Sequence, residues 1–171
     1  MRRFSRRTYR GLGDVLTDLR AAVSQREALR AAMGGEGLNP SFRERLMLVV
    51  TAVNGCRYCS YVHAREALAK GISREEIAAL GESVFEGSPP QEVPALLYAQ
   101  HWAVSDGRPD GAIRERIGQE YGSDVLARIE AVLRMIRMGN LMGNTLDYIL
   151  YRISLGRWGG EGTAEAEARS A

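Results

Sequence analysis

Between Asn54 and His63 the chain reads NGCRYCSYVH, a stretch holding both of its cysteines and one of its two histidines. Thiols and imidazoles attack electrophiles, ligate metals or carry protons near neutral pH. Their gathering in ten positions admits three readings: a redox dithiol, a metal site, or a packing cluster that contains polar atoms. On a helix of 3.6 residues per turn, Cys56 and Cys59 are three apart, Cys59 and His63 four, and Cys56 and His63 seven, so all three share one stripe. The cysteines would then occupy the first turn, where free backbone N–H groups and the positive end of the helix dipole stabilise an anion. The thiolate is the reactive form, and His63, one turn further on, is placed to take the proton of Cys59. On these grounds the cluster reads as a proton-assisted dithiol.

The competing chemistries are narrower. Haem attachment requires Cys-x-x-Cys-His, and Ser60 follows Cys59, which excludes it. A structural zinc takes four ligands; the stripe offers three, and Glu44 or His101 would have to complete the set from another helix. A carboxylate is also needed to orient His63. Glu66 lies three residues along the same helix, with a salt bridge to Lys70 as its alternative role. Glu44 opens the preceding helix, with the capping box Ser41-x-x-Glu44 as its alternative. The residues alone leave this choice open.

The elements that must carry these groups are helical throughout. Leu12, Val15, Leu16, Leu19 and Val23 recur mostly at spacings of three and four, and the pattern closes at Gly34-Gly35. Asn39-Pro40-Ser41 announces a second helix. Its LMLVVTAV run, apolar on every side, predicts a central position. Cys56 to Lys70 forms a third, stopped by Gly71, and Ser73-Arg-Glu-Glu76 is a capping box opening a short fourth. Further helices are expected from about Gln91 to Val104, around Ile113 and Ile117, and from Ser123 to about Leu155, with a kink expected at Gly139. No period-two run of β-branched residues occurs, so the fold class is all-α: a single-domain bundle of six to seven helices.

Within the longest helix Gly139 and Gly143 share a face, as do Asn140 and Asn144, beside Met135, Met138 and Met142. Small residues four apart suit a tight helix crossing or subunit contact. His101, before Trp102, reads as a helix-surface or core histidine, with a role lining the site as the alternative.

The bulk properties bound the rest. At 171 residues the chain fits one domain, and a chain of about 150 residues buries roughly 70% of its unfolded surface without needing staples. An isolated Cys-x-x-Cys pair fits a reducing compartment, hence a cytoplasmic location. The net charge of +2 is too small to argue for nucleic acid, and no stretch of 18 apolar residues calls for a membrane. Residues 1–11 are expected to be a solvated basic tail, 12–155 the helical domain, and 156–171 a flexible tail poor in apolar residues.

The run Glu44, eleven residues, then Cys56-x-x-Cys59-x-x-x-His63 resembles the signature of the alkylhydroperoxidase D-like (AhpD-like) proteins of the carboxymuconolactone decarboxylase superfamily. The resemblance extends from about Leu12 to Leu155, the fourfold motif being its specific part. It implies an all-α, oligomeric protein, a trimer or hexamer, that reduces hydroperoxides through its dithiol with no bound cofactor or metal. Cys59 then resembles the peroxide-attacking thiol and Cys56 the resolving one, and His63 with Glu44 resembles the relay that deprotonates Cys59. An external dithiol would be the reductant. The decarboxylase branch lacks the cysteine pair. Tyr58 departs from the pattern, because peroxidases of the family carry histidine there, and a phenol with a pKa near 10 is a poor base at neutral pH. Tyr58 is left to donate a hydrogen bond or to pack. Two other functions stay open: a redox-sensing or zinc-holding assembly protein without catalysis, and decarboxylase or lactone chemistry using His63 alone.

Overall fold

A computed structural model describes residues 4–159. Eight helices and no strand occur among them: α1 (Leu12–Ser24), α2 (Arg26–Met33), α3 (Pro40–Asn54), α4 (Arg57–Ala69), α5 (Arg74–Gly81), α6 (Val93–Val104), α7 (Gly111–Tyr121) and α8 (Ser123–Ile153). The all-α class matches the sequence pattern. The count exceeds the expected six to seven because the first expected helix breaks at Gln25 into α1 and α2.

The sequence places α3 at the centre, and it lies there, packed against α4, α5, α6 and α8. Asn39 caps it, its side chain accepting from the Phe42 N–H at 2.7 Å, and Pro40 occupies the first turn, where no amide partner is required. Leu46, Val49 and Val50 are fully buried, and Trp102 and Tyr98 of α6 and Ile129, Val132 and Leu133 of α8 complete the core. Arg45 crosses from α3 to bind Glu76 at 2.7 Å and Glu92 at 3.1 Å, tying α5 and the start of α6 to the central helix.

Helix α8 runs through Gly139 as one uninterrupted element. Its N-cap is Gly122, at φ 85°, and Ser123 is the first helical residue. In α1 the expected apolar stripe forms but is not buried. Leu12, Leu16, Leu19 and Val23 are 83, 52, 50 and 54% exposed, and the one buried residue of the helix is Asp18.

Residues 4–11 differ from the expected solvated tail. The backbone of this segment lies along α8 and the α3–α4 elbow: the Arg7 N–H donates to the Asn54 carbonyl, Asn144 donates to the Arg7 carbonyl at 2.9 Å, and the Tyr9 N–H donates to Thr145 at 3.1 Å. Arg6 binds Asp147, and Phe4 sits edge-on to Tyr148. Its three arginines, Arg6, Arg7 and Arg10, fall within reach of acids or carbonyls on the body, which a composition reading cannot anticipate. Of the expected C-terminal tail, 160–171 lie outside the described residues. The Gly159 carbonyl accepts from Arg6.

Candidate active site at the start of helix 4

The turn between α3 and α4 sets the site. Gly55 ends α3 in the left-handed conformation, φ 71°, which glycine adopts without a Cβ clash. That reversal puts Cys56 at the N-cap of α4, where serine, threonine or aspartate ordinarily stands. Its sulfur takes their role, accepting from the Cys59 N–H at 3.4 Å. The expected helix Cys56 to Lys70 is thus realised with Cys56 and Lys70 as its two caps.

Both thiols are free, with their sulfurs 2.7 Å apart. That is inside van der Waals contact, so closure to a disulfide at about 2.05 Å needs little backbone movement. Their surroundings are unequal. Cys56 is wholly buried and Cys59 partly exposed. The Cys59 thiol as donor, then the backbone N–H groups of Cys59 and Tyr58, draw the Cys56 thiol down to about 6 despite burial. Cys59 is pushed well above the usual thiol range, because its proton is held by Cys56 and because burial penalises its anion. The sequence reading put the anion on Cys59. The structure puts it on Cys56, since the N-cap sulfur, not the one a turn later, receives the free amides.

Glu44, and not Glu66, orients His63. The Glu44 Oε2 lies 2.8 Å from His63 Nδ1, while Glu66 pairs with Lys70 at 3.0 Å. Glu44 therefore does not cap its own helix, a task taken by Asn39. Lys70 Nζ reaches the second Glu44 oxygen at 3.1 Å. Burial raises the Glu44 carboxyl, but hydrogen bonds from His63 and Lys70 outweigh it and hold the group below its ordinary value. Glu44 is an anion shared by two cationic or protonatable partners, with only 4% of its surface exposed.

The Tyr58 hydroxyl is engaged with α8. It donates to Asp147 at 3.1 Å and accepts from Arg57 at 2.8 Å, and Arg57 and Arg6 both bind the same buried Asp147. Of the two roles left to Tyr58, hydrogen-bond donor is the one observed. Asp147 was not discernible as a site residue, since nothing in its sequence neighbourhood marks it. His101 lies elsewhere, its Nε2 accepting from the Asp110 N–H at 3.1 Å.

Helix α8 supplies the back wall. A Cβ on Gly143 would stand 3.3 Å from the Cys56 sulfur, so glycine there permits the close approach its spacing implied; Gly139 makes no such contact. Asn140, fully buried, donates to Thr51 at 3.1 Å and accepts from Asn54 at 3.1 Å. Among the described residues, no three His, Cys, Asp or Glu side chains gather in a metal-binding arrangement. No helix among them is long and apolar enough to cross a membrane.

No curated protein and no solved structure matches the chain. The model of the carboxymuconolactone decarboxylase family matches residues 20–104. That span runs from within α1 to the end of α6 and encloses Glu44, Cys56, Cys59 and His63. It leaves out α8, with Asn140, Gly143 and Asp147. The chain belongs to the carboxymuconolactone decarboxylase superfamily, as the resemblance carried by its acid, thiols and imidazole implied.

Proposed function

We propose that the protein is a thiol-dependent oxidoreductase that reduces hydroperoxides through Cys56 and Cys59. One observation carries the reading: two free sulfurs 2.7 Å apart at a helix start, the N-cap sulfur accepting from the Cys59 N–H. Transfer of the shared proton from Cys59 to Cys56 leaves the anion on Cys59, the sulfur that a substrate can reach. His63, held by Glu44, is the second acceptor for that proton.

The Cys59 thiolate attacks the terminal oxygen of the hydroperoxide. The O–O bond breaks, the leaving alkoxide takes a proton from Cys56 or His63, and Cys59 becomes a sulfenic acid. The Cys56 thiolate then attacks that sulfur. Hydroxide leaves and is protonated to water, and a disulfide forms. An external dithiol restores both thiols through a mixed disulfide. Hydroperoxide gains two electrons and two protons in all, giving alcohol and water. No step calls for a bound cofactor.

The test is single replacement. Cys59→Ser is expected to abolish hydroperoxide consumption. Cys56→Ser is expected to allow one turnover and to trap a sulfenic acid. Wild-type rates in both variants would refute the assignment, and turnover of a lactone or carboxylate surviving the double replacement would assign the site to His63 alone.

We also propose that a second copy of the chain covers the outward stripe of α1. Leu12, Leu16, Leu19 and Val23 make that stripe continuous along the helix, an arrangement suited to packing against another helix. The resemblance implies the same, as a trimer or hexamer. Sedimentation equilibrium is expected to give an oligomer that Leu16→Ser with Leu19→Ser dissociates; a monomeric wild type would remove the proposal.

A further inference from the structure

Asn140 lies on α8, outside the matched span, and the reaction written above does not use it. It is fully buried, and its amide contacts Asn54 and Thr51. Asn54 Nδ2 donates to its Oδ1 at 3.1 Å. Its Nδ2 carries two hydrogens. Thr51 Oγ1 accepts one. The other is free for the dithiol, which lies on the same face of α8: Gly143, three residues on, stands against the Cys56 sulfur. The Asn140 side chain acts on each sulfur in the direction that favours the anion.

We propose that Asn140 is an anion-stabilising residue of the dithiol, a neutral amide clamped by Thr51 and Asn54 that donates to whichever sulfur holds the charge. The proposal rests on the redox-dithiol reading but not on hydroperoxide being the substrate. Its physical content is a gain in symmetry. A donor confined to Cys56 would hold the charge on the buried sulfur and hinder attack from Cys59. One that reaches both sulfurs follows the charge as the proton crosses, so the accessible anion forms without losing its partner. A carboxamide suits this role because it supplies an N–H without adding a charge that titrates nearby. The charged and titratable groups around the pair are His63 and Glu44 on one side, and Arg57, Tyr58, Asp147 and Arg6 on the other, with Lys70 beyond Glu44. Replacing Asn140 changes none of them.

The experiment is the pH titration of thiolate absorbance in the reduced, full-length protein, with the equilibrium constant for its disulfide against glutathione measured alongside. A hydrogen bond to an anion lowers its pKa, so its loss raises it. Asn140→Ala is expected to move the first thiolate midpoint up by about one pH unit, a tenfold lower ionisation constant. It should also make the disulfide harder to reduce, because the thiolate product has lost its donor. Thr51→Val, nearly isosteric, keeps Asn140 but removes the acceptor that orients it, and a smaller upward shift is expected. It decides the question should Asn140→Ala not fold. A folded Asn140→Ala protein with the wild-type midpoint and disulfide equilibrium would overturn the proposal, as would an unchanged midpoint in Thr51→Val if Asn140→Ala is unfolded. If hydroperoxide is not the substrate, peroxidase assays of the wild type fail while both thiol readouts still respond, so the two failures are distinguishable.

Discussion

The two halves of the site, one turn apart on α4, are built on opposite principles. At Cys56 and Cys59 the stabilisation comes from neutral donors: a thiol, backbone amides at a helix start and the Asn140 carboxamide. At His63 it comes from formal charge, a buried Glu44 carboxylate held between the imidazole and Lys70. Neutral donors can serve either sulfur as the proton moves. A carboxylate beside the dithiol would instead repel the thiolate. The difference teaches that ionising the sulfurs and moving their proton are separate tasks, given to separate groups.

That separation can be broken from either side. Glu44→Gln removes the charge that steadies an imidazolium at His63 while keeping a hydrogen-bonding side chain of the same shape. Hydroperoxide consumption is expected to fall roughly 10- to 100-fold, within the range for a proton-transfer group, while the thiolate titration stays where it was. A matching shift in the thiol midpoint would show that the two halves are not independent.

Gly143→Val tests the other half. A Cβ at that position already stands 3.3 Å from the Cys56 sulfur, and the branches of valine extend beyond it. Overpacking is expected to cost about 1–3 kcal/mol in chemical denaturation and to raise the thiol midpoint by parting the sulfurs from their donors. The Glu44–His63 contact, further along α4, should be untouched. A fully stable variant with an unaltered midpoint would mean that α8 does not press on the dithiol.

The smallest effect is in stability against pH. The Cys56 pKa is depressed in the folded protein, so its contribution is complete above the ordinary thiol value and is lost as pH falls through about 6. Cys59 is raised, so above the ordinary thiol value the unfolded chain sheds a proton that the folded one keeps, and stability falls again. The reduced protein should therefore be most stable near the ordinary thiol pKa, and the oxidised protein should lack this maximum. Parallel pH profiles for the two forms would contradict both shifts.

The legibility of this site in the sequence follows the same division. Cys56, Cys59 and His63 are close in the chain, so helix geometry alone brought them together, and the family resemblance selected Glu44 over Glu66. Chain-local logic also located α3, whose LMLVVTAV run is buried as expected. What it could not supply were partners distant in sequence. Asn140 and Asn144 were recognisable as sharing one helix face, but that they stand behind the thiols depends on how α8 crosses α3. The link from Arg6 through Asp147 to Arg57 and Tyr58 joins the two ends of the chain and leaves no local pattern. Helix α1 shows the converse error. Its stripe was correctly read as a helix face, but periodicity says only that a face is apolar, not that this chain covers it.

The central claim concerns which sulfur is ionised at rest, and the pH dependence of the carbon-13 shift of each cysteine Cβ in the reduced protein reads the two separately. The account predicts that Cys56 titrates first, near pH 6, that Cys59 keeps its proton well past the ordinary thiol range, and that Cys59→Ala raises the Cys56 midpoint. Titration of Cys59 ahead of Cys56, or of both near the value of about 8.5 for a free thiol, would contradict it.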